Sequence, residues 1–143
     1  MTRQRSVTGF GLLEVVIATA LLALLLVLGT NRWQGHVARQ RLRYGAAQVA
    51  ANLRHAQERA KAERAAYTVA FTAASGAYTI ARSGGGFVER ADLPPGVTAA
   101  GTLTVRFSAF GQPSSAYAVT VQNAAGAATV TVSSFGGITY QEP

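Results

Sequence analysis

One carboxylate stands inside a run that is otherwise uncharged: Glu14, within the stretch TGFGLLEVVIATALLALLLVLG that covers residues 8–29. In a bilayer core an ionised carboxylate costs on the order of several kcal/mol, so a residue of this kind calls for a partner and a function. A cation created nearby would supply the partner, and a new amine at Phe10 would be one. The other residues able to do chemistry are sparse. His36 and His55 are nineteen positions apart with no carboxylate at a ligand-like spacing, which reads as solvated helix histidines rather than a zinc or catalytic pair. The triplet Gly84-Gly85-Gly86 lacks the Gly-Lys-Ser/Thr ending of a phosphate loop and reads as a turn. The serine pairs 114–115 and 133–134 have no base that the sequence reveals. With no cysteine, thiol catalysis, zinc-thiolate sites and disulfides are excluded. Nothing argues for an enzyme, and neither a metal nor a cofactor is expected.

Charge is the second chemical feature. The chain of 143 residues is +7 overall, and the excess is concentrated. Arg3 and Arg5 precede the apolar run. Arg32, Arg39, Arg41, Arg43, Arg54, Arg59, Lys61 and Arg64 follow it against only Glu58 and Glu63, which leaves that segment +6. The remainder is close to neutral. A basic segment beside an apolar one suits lipid phosphates, nucleic acid or acidic partner surfaces, and charge alone does not choose among them.

The elements that must position these groups follow from periodicity. As an α-helix, Phe10 to Gly29 reaches about 30 Å, the thickness of a bilayer core. The run is too long for a signal-peptide core and passes into a charged, helix-forming stretch without a small-x-small cleavage site. It reads as an anchor with the basic head in the cytoplasm and the rest outside. Gly29, Asn31 and Gly35 are poor helix formers, so a bend or loosening is expected there, and Trp33 suits a membrane–water interface. Beyond it, Leu42, Ala46, Val49, Leu53, Ala56 and Ala60 recur at helical spacing and form a narrow apolar stripe. Arg32, Arg39, Arg43, Arg54 and Lys61 share one flank of that stripe, with Arg41 and Arg59 on the other. Weak i,i+4 pairs are expected between Arg54 and Glu58 and between Arg59 and Glu63.

After Arg64 the period becomes two. Tyr67, Val69 and Phe71 alternate, then Tyr78 and Ile80, around a turn placed at Ser75-Gly76: a β-hairpin. DLPPGV, residues 92–97, is a break, and TLTVRFSAF, AYAVTVQ, ATVTVSSF and ITYQ are further strand candidates. The fold class is therefore α+β: a long N-terminal helix packed on a C-terminal antiparallel β-sheet head. Its expected segments are 1–9, 10–29, 30–65 and 66–143.

Gly9-Phe10, then Glu14 and some twenty apolar residues behind a short basic leader, resembles the class III signal of type IV pilins and type II secretion pseudopilins. The Leu-Pro-x-Gly break, VRFSAFGQP and VSSFGGITY resemble the head of GspH/FimT-type pseudopilins, and together these motifs cover most of the chain. The resemblance implies cleavage between Gly9 and Phe10 by prepilin peptidase and N-methylation of Phe10. It implies that Glu14 pairs with the methylated amine of a neighbouring subunit during filament assembly, a charge pair that would set register in a low-dielectric bundle. The implied role is a minor pilin or pseudopilin, a non-enzymatic subunit that assembles into or primes a pilus-like filament. The implied partners are other pilins or pseudopilins, prepilin peptidase, the inner-membrane assembly platform and membrane lipid. The implied location is the bacterial inner membrane, single-pass with the head in the periplasm, and the pilus or pseudopilus after assembly.

Departures bear on the finer role. The cysteine loop usual in major pilins is missing, and Glu89, Asp92 and Glu142 are too few for a calcium cluster of the pseudopilin kind. FGGITYQEP lacks the basic residue that some relatives carry after the terminal glycine, which weakens transfer of a nucleic-acid-binding tip. Two alternatives stand beside the structural subunit. One is a minor pilin that captures DNA for natural transformation through phosphate contacts from Arg82, Arg90 and Arg106 or from Arg54 and Lys61. The other is a type II secretion minor pseudopilin.

Overall fold

The computed structural model describes residues 11–141, with the side chains of 27–32 left aside. Gly9 and Phe10, the expected cleavage pair, lie outside the described residues. The chain divides into two compact units, residues 1–35 and 36–143. Its class is α+β, with one long helix and eight strands among the described residues.

Helix α1 runs from Leu12 to Glu63, and its assignment continues through Gly29, Asn31 and Gly35, so the expected loosening does not interrupt it. In the first unit every described side chain from Leu12 to Leu26 is exposed. Thr19 returns its hydroxyl to the helix, donating to the carbonyls of Val15 and Val16 at 2.9 and 3.0 Å. Apart from Glu14, the surface of that segment is thus apolar all round. Among the described residues, no helix is long and apolar enough to cross a membrane. The expected span extends beyond the described side chains, to Phe10 at one end and to residues 27–29 at the other.

In the second unit α1 becomes one-sided. Leu42, Ala46, Val49, Leu53, Ala56 and Ala60, the six positions of the apolar stripe, are all buried, as is Ala50 beside them. Small residues let the helix come close. A Cβ on Gly45 would stand 3.2 Å from Val97 Cγ1, so glycine there lets the Leu93–Val97 loop pack onto the helix. Gln48 Nε2 donates to the Asp92 carbonyl at 2.8 Å along the same contact. The helix ends at Arg64, which takes a left-handed φ of 48°. Arg64 N–H donates to the Lys61 carbonyl and Ala65 N–H to the Ala60 carbonyl, a Schellman ending built without glycine.

The strands are β1 (Tyr67–Phe71), β2 (Ala77–Arg82), β3 (Val88–Asp92), β4 (Thr98–Ala99), β5 (Leu103–Phe107), β6 (Tyr117–Asn123), β7 (Gly126–Val132) and β8 (Ile138–Gln141). They form two antiparallel sheets rather than the single sheet expected, in orders β3-β2-β1-β5 and β4-β6-β7-β8. The divergence lies between β5 and β6. The segment that follows β5 folds back on it, with a bridge between Phe107 and Pro113 and a bond from Ser114 N–H to the Arg106 carbonyl, before β6 enters the other sheet. Alternation alone does not reveal which sheet a strand joins, and this is why the split was not foreseen.

The expected hairpin is present, with Val69 opposite Ile80 and Phe71 opposite Tyr78. Its turn is centred earlier than Ser75-Gly76, at Ala74, whose φ is 59°. All three glycines at 84–86 have φ near 90° and turn β2 into β3, as expected of a turn. Strand β3 was not foreseen, because VERAD is charged and four of its five residues are exposed on a sheet edge. Inward residues of both sheets meet the helix stripe in one core that includes Tyr67, Val69, Phe71, Val105, Phe107, Val119, Val121, Val130 and Val132.

Candidate functional site

Two turns built alike stand where the strands of the two sheets end. After β5 comes Ser108-Ala109-Phe110-Gly111, and after β7 comes Ser133-Ser134-Phe135-Gly136. In the first, Gly111 N–H donates to the Ser108 carbonyl at 2.8 Å, and Ser108 N–H donates to the Gln112 carbonyl at 2.8 Å. In the second, the matching bonds run from Gly136 N–H to the Ser133 carbonyl at 2.9 Å and from Ser133 N–H to the Gly137 carbonyl at 2.8 Å. The serine hydroxyl completes each turn. Ser108 Oγ accepts from the Gln112 amide at 3.2 Å, and Ser133 Oγ from the Gly137 amide at 2.9 Å. Gly111 and Gly136 adopt φ of 73° and 89°, a region that costs an L side chain about 1–2 kcal/mol.

Gln57 joins the two turns. It is the buried polar residue of the helix, on the face shared with Leu53 and Ala60. Its Nε2 donates to the Gly111 carbonyl at 2.9 Å and to the Gly136 carbonyl at 3.2 Å. The turn backbones therefore adjoin: a Cβ on Gly136 would stand 3.8 Å from the Gly111 oxygen. The phenylalanine before each glycine does the reverse of what its chemistry favours. Phe110 is 82% exposed and Phe135 96% exposed. The strand candidates TLTVRFSAF and ATVTVSSF both end on these phenylalanines, whereas the strands stop at Phe107 and Val132. The signal that could have found them is the recurrence of Ser-x-Phe-Gly at 108 and 133, together with a glutamine interrupting an apolar stripe.

Cations border the turns. The Lys61 stem lies over Gly111, where a Cβ would come within 2.5 Å of its Cε, and its ammonium pairs with Glu58 at 2.8 Å. Arg54 donates to the Ile138 carbonyl at 2.8 Å, just past the second turn. Its expected pair with Glu58 is replaced by these two contacts, since β8 brings an unspent carbonyl within reach of the guanidinium. The other expected pair, Arg59 with Glu63, is present at 3.4 Å, and Arg59 also lies over the Phe87 ring at 3.9 Å.

The three head arginines are not brought together. Arg82 lies opposite Tyr67 at the helix-facing side of its sheet and pairs with Glu63 at 3.8 Å. Arg90 and Arg106 lie on the outward face but on opposite edge strands, β3 and β5, three strand spacings or roughly 14 Å apart. Arg90 is paired with Asp92 at 3.3 Å. His36 and His55, both exposed, are about 28 Å apart along the helix. Among the described residues no group of three His, Asp or Glu side chains could hold a metal ion.

Two tyrosine hydroxyls, of Tyr67 and Tyr78, tie the head to α1. Burial, followed by the bond it donates to Glu63 Oε2 at 2.8 Å, pushes the Tyr67 phenol above its ordinary value. Burial also raises Tyr78, against the opposing effect of the hydrogen bond from Asn52 Nδ2 at 2.6 Å. Hydrogen bonds from Ser114 and Ser115 lower Tyr117 instead.

Glu14 sits in the first turn of α1, exposed, with its amide donating to the Gly11 carbonyl at 2.9 Å. A carboxylate there is favoured by the helix dipole by about 0.3–1 kcal/mol, far less than its cost in a bilayer core. Comparison with protein-family models, with characterised proteins and with solved structures finds no match to this chain.

Proposed function

We propose that this chain is a non-enzymatic filament subunit of the type IV pilin kind, a minor pilin or minor pseudopilin. It begins as an inner-membrane precursor, and residues 1–9 are removed by prepilin peptidase. The observation that carries this reading is the contrast within α1. Its first described turns expose apolar side chains on every side around one carboxylate, whereas its later turns are buried on one face by a β head. Such a segment suits lipid in one state and the side-by-side helices of a filament in the other, since both offer apolar contact all round. Glu14 then seeks the amine of a neighbour, because leaving it unpaired in that bundle is costly.

The experiment is Glu14→Ala in cells that build the filament. The variant is expected in the membrane fraction at normal abundance and strongly depleted from sheared filaments. Normal incorporation would remove the role proposed for Glu14. A DNA-capturing form of the same subunit gains less support, because Arg82, Arg90 and Arg106 are divided between two faces. Pilus and secretion forms share all of these features.

A further inference from the structure

We draw no further inference here: the strongest candidate, the groove beside the edge strand β5 that is lined by Thr102, Leu103, Ala118, Val119 and Thr120, carries nothing because nothing in the structure shows what covers it.

Discussion

Leu22 and Leu53 occupy the same helix, and their fates differ completely. Leu22 is 62% exposed, with neighbours as apolar as itself, while Leu53 is fully buried in the core of the head. The early turns have apolar residues on all sides and no protein to cover them. The later turns confine theirs to one stripe and place Arg, Gln and Glu on the rest. A helix apolar all round is made for a continuous apolar surrounding, whereas an amphipathic one is made for a single partner face. One element therefore carries two instructions, and only the second is carried out within the single chain.

Mutation of matched residues sharpens that difference most. Leu53→Ala should cost about 2–5 kcal/mol, because it opens a cavity between helix and sheets. Leu22→Ala should leave head stability unchanged within about 0.5 kcal/mol. Urea unfolding of the full chain in detergent, followed by tyrosine fluorescence, measures both. Equal losses would mean that the two stretches are not distinct. Gln57→Ala comes next, at about 1–3 kcal/mol, since it leaves two turn carbonyls without their buried donor. Faster amide exchange at Gly111 and Gly136 should accompany the loss, with the early helix unaffected.

The head also carries a pH dependence through its buried tyrosines. Tyr67 and Tyr78 have folded values raised above the ordinary tyrosine pKa, chiefly by burial. Their contribution is fully present below about pH 10 and is lost as pH rises through the folded values, because the unfolded chain releases those protons first. Unfolding midpoints measured from pH 8 to 11 should therefore fall at the alkaline end, and Tyr67→Phe should flatten part of that fall. The smallest effect is a gain. Arg64→Gly relieves a left-handed residue at the helix end and should stabilise by less than about 1 kcal/mol, net of the added freedom of the unfolded chain. Thermal unfolding would register it as a rise of a few degrees or less.

Much of the head was legible because its periods are clean. The Leu42–Ala60 stripe, the hairpin from Tyr67 to Ile80 and the glycine turn at 84–86 follow from spacing and from which residues tolerate positive φ. Other parts were illegible for physical reasons. VERAD is held in place as an edge strand by pairing with β2, and its composition gives no hint of that. The two-sheet division depends on where β5 and β6 part, a tertiary choice that leaves alternation unchanged. Arg54 was expected to pair locally with Glu58, but the carbonyl of Ile138 arrives from 84 residues away. The paired turns were hidden because strand-forming residues continue up to each phenylalanine. Glu14 was visible from the start as a chemical oddity, although its expected partner at Phe10 lies outside the described residues.

The most direct measurement is the intact mass of the chain purified from the membranes and filaments of its own cells. The expected mass is that of a chain that begins at Phe10, lacks residues 1–9 and carries one added methyl group on its amine. A chain that keeps Met1 to Gly9 in both fractions would contradict it, because Glu14 would then have no new amine to meet.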